Sequence, residues 1–125
     1  MRRLRRAFEI IAIAAGFITV FAPPASAHAF LDRAVPAVGS VVRAPPTEIR
    51  LRFTQRLEPA FSSIRVFDRD GRQVDRGDAR VDATDPVLLR VSLPVLPPGG
   101  YRVTWRVLSV DAHVTEGDFT FDVAP

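Results

Sequence analysis

The sequence predicts an all-β domain, an antiparallel β-sandwich, that follows a short N-terminal leader. Apolar residues recur with a period of two in several short runs, which is the pattern of strands buried on one face. Clusters of Pro, Gly and Asp separate these runs, and no helical period is found beyond the leader. Several short strands bounded by turns in roughly a hundred residues are typical of a sandwich.

The leader has the three parts of a cleavable secretory signal. Arginines at positions 2, 3, 5 and 6 form a basic region, residues 10–22 are an apolar stretch, and Ala25-Ser26-Ala27 fits the small-residue cleavage rule. An uncleaved anchor is the alternative, but the stretch is short for a spanning helix, which needs roughly 20 residues, and no second such run follows. We expect residues 1–27 to be removed, leaving one domain of residues 28–125 that is periplasmic or secreted.

The composition of the expected mature chain narrows its function. The whole chain has 17 basic and 14 acidic residues, and the leader holds four Arg and one Glu, which leaves 13 of each in residues 28–125. A balanced chain lacks the basic excess of a nucleic-acid-binding face. Because cysteine is absent, the domain must be held by its core without disulfides. Met1 is the only methionine, so the mature chain would contain no sulfur.

Four predicted strands alternate clearly, over residues 48–53, 86–93, 101–109 and 118–123, and a further strand is expected over 64–67. The side chains expected to face the core are Ile49, Leu51 and Phe53, then Val87, Leu89, Val91 and Leu93, then Tyr101, Val103, Trp105 and Val107, and finally Phe119, Phe121 and Val123.

Turn signals separate the predicted strands. Asp70-Gly71 suits a tight hairpin that needs positive φ, while residues 97–100 and Glu116-Gly117 are predicted breakers. Aspartates at positions 68, 70, 75 and 78 lack the glutamate and glycine spacing of a calcium loop, so they are interpreted as part of a solvated hairpin.

The chain has only two histidines, His28 and His113, and both occupy positions that suit a metal ion. Cleavage after Ala27 would make His28 the first residue, so that its α-amine and imidazole could chelate one ion. Asp111 and His113 are two residues apart, and on an extended backbone they project from one face with roughly 6–7 Å between Cα atoms. Taken singly, a turn carboxylate, a solvated histidine and an accident of cleavage are simpler interpretations.

The available donors favour an oxidised copper ion. Two imidazoles, an amine and a carboxylate in a near-planar set favour Cu(II) or Ni(II), and Cu(II) binds most strongly. Zinc accepts the same donors in a tetrahedron. Cu(I) prefers sulfur ligands, which the expected mature chain lacks. The sequence therefore predicts a Cu(II) site that includes His28, Asp111 and His113.

A set of sequence elements resembles a known family. The elements are His28-Ala-Phe-Leu, Pro36 with Gly39, Phe53-Thr54, Pro98-Gly99-Gly100-Tyr101-Arg-Val-Thr-Trp105, Ser109-Val-Asp-Ala-His113 and Gly117-Asp-Phe-Thr-Phe-Asp-Val123. Together they are similar to the CopC family of periplasmic copper-resistance proteins, over essentially all of residues 28–125. The resemblance implies an immunoglobulin-like or cupredoxin-like Greek-key β-sandwich or barrel. It also implies Cu(II) held by the amine and imidazole of His28 with Asp111 and His113, and a CopD-like inner-membrane copper transporter as partner.

Two departures from the family pattern refine this expectation. Some members carry a methionine-rich loop for Cu(I), where this chain has the methionine-free residues 68–74. The chain therefore resembles the Cu(II)-only branch. Many relatives also have a glutamate near the copper where this chain has Gln55, which can form hydrogen bonds but carries no charge.

We expect a monomeric copper-binding protein, without catalytic residues, that serves copper tolerance, storage or delivery. Two alternatives stay open. Terminal-histidine copper also occurs in oxidative polysaccharide-cleaving enzymes, although Asp111 would here occupy a position that oxygen needs. A metal-free interaction module of the immunoglobulin type is the other alternative, and an inert copper titration would favour it.

Overall fold

Eight strands form two four-stranded sheets in the computed structural model, which describes residues 14–19 and 28–125. The strands are β1 (Leu31–Val35), β2 (Val41–Val42), β3 (Glu48–Phe53), β4 (Ser63–Phe67), β5 (Arg80–Val81), β6 (Leu88–Ser92), β7 (Gly99–Leu108) and β8 (Val114–Val123). The first sheet has the order β1-β3-β6-β5 and the second the order β2-β8-β7-β4. One turn of 3-10 helix, Pro59–Phe61, follows β3.

The predicted all-β sandwich is confirmed, although one of its strand pairs is parallel rather than antiparallel. Neighbouring strands are antiparallel except for β2 and β8, which run parallel at the edge of the second sheet. Of the predicted signal, only residues 14–19 are described, and they form neither helix nor strand. Across the described ranges, no helix has the length and hydrophobicity to cross a membrane.

The core lies between the sheets and is built from alternate positions of the longer strands. Almost all the predicted inward side chains are buried, among them Leu51 and Phe121, which are fully buried. Val87 is only partly buried because it precedes β6. Trp105 is also partly buried, and its ring packs edge-on against Phe53 with 5.1 Å between ring centroids. Each fully buried apolar side chain, such as that of Leu51, stabilises the fold by roughly 1.5–3 kcal/mol. The longer strands, which carry most of these side chains, therefore contribute most of the hydrophobic stabilisation.

Three strands have no counterpart in the sequence prediction. Strands β2 and β5 are two residues long, which is too short to display a period. Strand β1 carries the sequence LDRAV, in which partly buried and exposed positions do not alternate. Its position at the edge of the first sheet is decided by its pairing with β3 instead.

The prediction of a break at Glu116-Gly117 is wrong, because both residues lie inside β8. Gly117 is paired with Trp105 across the β7–β8 ladder. A Cβ atom at Gly117 would lie 2.4 Å from Cζ2 of Trp105 and 2.7 Å from Cε2. The glycine therefore makes room for an indole ring. The Asp70-Gly71 turn is confirmed, since Gly71 has φ of +78° and its N–H donates to the carbonyl of Asp68 at 3.1 Å.

Charged side chains cover the outer face of the first sheet. The Arg90 guanidinium donates to Glu48 at 2.8 Å and to Asp82 at 2.9 Å. The backbone N–H and the hydroxyl of Thr84 also donate to Asp82, each at 2.9 Å. These hydrogen bonds favour the ionised carboxylate, and they lower the pKa of Asp82 to about 2.

Candidate metal centre

The candidate ligands Asp111 and His113 lie in the turn between β7 and β8, which spans residues 109–113. The turn is closed by Ser109, whose N–H donates to the carbonyl of His113 at 3.0 Å, and by Ala112, whose N–H donates to the carbonyl of Ser109 at 2.9 Å. Ala112 has φ of +65°. The expected extended backbone between Asp111 and His113 is therefore wrong, because a two-strand hairpin must reverse direction here.

Ser109 anchors this turn from inside the fold. Its side chain is fully buried, and its hydroxyl oxygen accepts the N–H of His113 at 3.3 Å. The turn is also held from the side, because the N–H of Val110 donates to the carbonyl of Arg56 at 3.0 Å and that of Glu58 donates to the carbonyl of Leu108 at 2.8 Å. Because these hydrogen bonds hold the backbone of the turn on both sides, the position of His113 on the surface is well defined.

The segment that carries His28 is fixed by two neighbouring residues. Ala29 is fully buried, and its carbonyl accepts the hydroxyl of Thr115 at 2.7 Å. The N–H of Phe30 donates to Oγ1 of Thr54 at 3.0 Å, and the N–H of Thr54 returns a bond to the carbonyl of Phe30 at 2.9 Å. His28 itself is exposed at the end of this anchored segment.

The two histidines of the chain meet at this end of the sandwich. The ring centroids of His28 and His113 are 4.7 Å apart, with an angle of 56° between the ring planes. Both residues are exposed. A metal–imidazole bond is about 2.0–2.1 Å long, so rings this close can each supply a nitrogen to one ion. The fold thus brings together two residues that are 85 positions apart in the sequence.

Asp111 is exposed on the turn, and its carboxylate forms no hydrogen bond or ion pair with any other described residue. Within residues 14–19 and 28–125, no group of three or more His, Cys, Asp or Glu side chains is disposed to hold a metal ion. The structure therefore brings together His28 and His113, and it leaves Asp111 outside that pair. The third predicted nitrogen, the α-amine of His28, exists only in a chain that begins at His28.

Gln55 lies between the two supports of the histidine pair. It follows Thr54, which binds the segment carrying His28, and it precedes Arg56, whose carbonyl binds the hairpin turn. Its side chain is half-buried. Sequence reasoning assigned no role to the three hydroxyl side chains that support the pair, which are those of Thr54, Ser109 and Thr115. An isolated Ser or Thr in the sequence carries no signal that would single it out.

The aspartates between positions 68 and 78 serve the backbone. Oδ1 of Asp68 accepts the N–H groups of Asp70 and Arg72 at 2.9 and 3.0 Å. Asp75 accepts the N–H of Val66 at 2.8 Å, and Asp78 accepts that of Ser92, also at 2.8 Å. These carboxylates are used to close turns and to cap strand edges, in agreement with the predicted hairpin.

Taken together, the fold and the site define a small β-sandwich that presents two histidines from distant parts of the sequence beside a tight hairpin. The CopC domain family matches residues 31–124, which is most of the chain. The chain therefore belongs to the CopC family. The matched range contains Asp111 and His113 and begins three residues after His28.

Relatives and solved structures are similar over most of the domain. The chain is 34% identical to Protein YobA of Escherichia coli K12, over 98% of this chain and 95% of that protein. It is 42% identical to CopC from Methylosinus trichosporium OB3b, with a TM-score of 0.74 over 78% of this chain and 95% of that one. PcoC, a methionine-rich copper resistance protein from Escherichia coli, is 32% identical, with a TM-score of 0.65 over 77% and 98% of the two chains.

Proposed function

We propose that the protein is exported, is cleaved after Ala27, and binds one Cu(II) ion at the end of the sandwich where the histidines meet. It holds copper for tolerance, storage or delivery to a membrane transporter, and it carries out no turnover. The observation that carries this proposal is the 4.7 Å separation between the rings of His28 and His113, the only histidines in the chain.

The donor chemistry supports an oxidised copper ion. A chain that begins at His28 offers an amine and an imidazole from one residue, and His113 adds a second imidazole. Nitrogen donors of this kind favour Cu(II) under the Irving–Williams order. The carboxylate of Asp111, two residues before His113, has no hydrogen bond or ion pair with another described residue, and the proposal takes it as the fourth donor. No thiol or thioether exists in residues 28–125 to attract Cu(I).

The comparisons support a copper role. PcoC is named as a methionine-rich copper resistance protein. This chain has no methionine after Met1, which supports a Cu(II)-selective role.

The test begins with the protein recovered after export. N-terminal sequencing is expected to read His-Ala-Phe-Leu-Asp, and the intact mass is expected to rise by one copper ion on addition of Cu(II). Copper affinity is then measured by competitive titration, with the fluorescence of Trp105, the only tryptophan, as a reporter. In the presence of reductant and oxygen, the copper protein should form no more peroxide than its own copper-free form.

Two variants and one matched control locate the site. One extra residue before His28 removes the free amine from the chelate, and His113→Ala removes one imidazole. The control carries the same extra residue after Pro125, where no candidate ligand lies. Both variants should lose most of the Cu(II) affinity, and the extension before His28 should cost at least as much as His113→Ala. A protein that tolerates the N-terminal extension as well as the C-terminal one would contradict the proposed site.

A further inference from the structure

Residues 28–30 bridge the two sheets of the sandwich. Phe30 forms two hydrogen bonds with Thr54, the residue that directly follows β3 of the first sheet. One residue earlier, the carbonyl of Ala29 accepts the hydroxyl of Thr115, which lies in β8 of the second sheet, at 2.7 Å. The chain thus crosses from one sheet to the other between Phe30 and Ala29, immediately beside His28.

The Thr115 hydroxyl fastens this crossing to the second sheet. In the part of the chain that the structure describes, the bond from this hydroxyl to the carbonyl of Ala29 is the one side-chain hydrogen bond between residues 28–30 and the second sheet. Ala29 is 0% exposed, so water cannot replace the hydroxyl as a partner for its carbonyl. Thr115 is also the second residue of β8, two positions after His113.

We propose that Thr115 is a positioning residue that sets the separation between His28 and His113, and through it the affinity for Cu(II). Its hydroxyl holds the residue after one histidine, and its backbone continues the strand that begins beside the other. One side chain therefore ties both rings to the same strand. The copper part rests on the proposed function, whereas the ring separation is a property of the metal-free protein.

The effect of losing this hydroxyl follows from the burial of Ala29. A buried carbonyl without a donor is unfavourable, and the peptide between Ala29 and Phe30 can regain a partner for it only by turning towards water, which also strains the hydrogen bond from the N–H of Phe30 to Oγ1 of Thr54. Because His28 is joined directly to Ala29, that rotation displaces its imidazole from His113. One neutral hydrogen bond corresponds to about tenfold in an equilibrium constant, which is the expected loss in Cu(II) affinity.

The test compares three substitutions in the exported protein. Thr115→Val removes the donor and keeps a β-branched shape that suits a strand. Thr115→Ser restores the donor. Thr120→Val is the matched control, because Thr120 is exposed on the same strand and its hydroxyl forms no hydrogen bond with another described residue. Thr115→Ala is a second donor-free variant, to be used in the same way if circular dichroism shows that the valine variant does not fold.

Two measurements are made on each protein. The first is the NMR cross-peak between ring protons of His28 and His113 without metal, which a 4.7 Å centroid separation should give. The second is the Cu(II) dissociation constant. Thr115→Val should lose the cross-peak and bind copper about tenfold more weakly. Thr115→Ser and Thr120→Val should keep both properties.

Three results decide between the proposals. If Thr115→Val keeps the cross-peak, the positioning role is overturned, whatever its copper affinity. If Thr115→Ser fails to restore the cross-peak, the hydroxyl is not the cause and the role is likewise overturned. If the cross-peak responds as expected but the unsubstituted protein binds no Cu(II), the positioning role stands and the proposed function fails.

Discussion

Replacing Gly117 with alanine is expected to destabilise the fold through the indole of Trp105. The alanine Cβ would lie 2.4 Å from Cζ2 of Trp105, whereas ordinary contact begins at about 3.4 Å. The indole must therefore move by about 1 Å. It cannot do so freely, because the indole also packs against Phe53 in an edge-to-face arrangement with ring centroids 5.1 Å apart.

Two opposing effects set the magnitude of this change. Overpacking of a well-filled site costs about 1–3 kcal/mol. Alanine also restricts the unfolded chain relative to glycine, which returns about 0.4–1 kcal/mol. Taking the middle of each range leaves a net loss of about 1.3 kcal/mol. For a domain of this size each kcal/mol shifts Tm by about 4–8 °C, so Tm should fall by about 5–10 °C.

Gly100→Ala is the matched control. Gly100 lies in β7, is paired with Asp122 of β8, and has no positive φ. A Cβ there would meet Nε of Arg69 at 3.1 Å and Oδ1 of Asp122 at 3.2 Å, which are the far ends of flexible side chains. Thermal unfolding followed by circular dichroism should show Tm unchanged or raised for Gly100→Ala and lowered for Gly117→Ala. The cost of Gly117→Ala should shrink in a Trp105→Phe background. Equal Tm values for the two alanine variants would refute the packing argument.

Three further predictions concern copper and acid. Competition with a Cu(I) chelator should leave no Cu(I) on the protein, and retained Cu(I) would contradict the sulfur-free donor set. Cu(II) at a hundred times its dissociation constant should add about 2.7 kcal/mol to the free energy of unfolding and raise Tm by about 10–20 °C, provided that only the folded state binds copper. The carboxyl of Asp82 should titrate in NMR with a midpoint near 2, because Thr84 and Arg90 donate to its ionised form. Since its pKa is lowered on folding, this stabilisation is present above about pH 4 and is lost as the pH falls towards 2. Asp82→Asn should therefore flatten the decline of unfolding free energy over that interval, and an unchanged decline would count against the assignment.

Local patterns in the sequence predict the long strands well. Strand β3 occupies the predicted residues 48–53, because three apolar side chains alternate there with charged ones. The same reasoning fails for Gly117, where a glycine that usually marks a turn instead accommodates Trp105 from the neighbouring strand. It also fails for the hairpin at 109–113, which contains no Gly, Pro or Asn and is closed through a positive φ at Ala112.

The candidate site shows the same division between local and distant causes. The chemical identity of the ligands is visible in the sequence, because the chain has two histidines and residues 28–125 have no sulfur. The role of Thr115 is not visible, since its partner Ala29 is 86 positions away. Asp111 and His113 were predicted to lie on one face of an extended strand. In the structure they lie in the turn between β7 and β8, so the hairpin geometry sets their relative positions.

The sequence by itself determined the class of fold and the donor atoms that are available, because the periodicity of apolar residues and side-chain chemistry are properties of short segments. It also predicts the export leader. Only the tertiary structure decided that His28 faces His113 at 4.7 Å, and that Gly117 belongs inside a strand. These contacts depend on strand register and on the crossing of the chain between the two sheets at Ala29. They arise from packing between residues far apart in the sequence, and no local pattern encodes them.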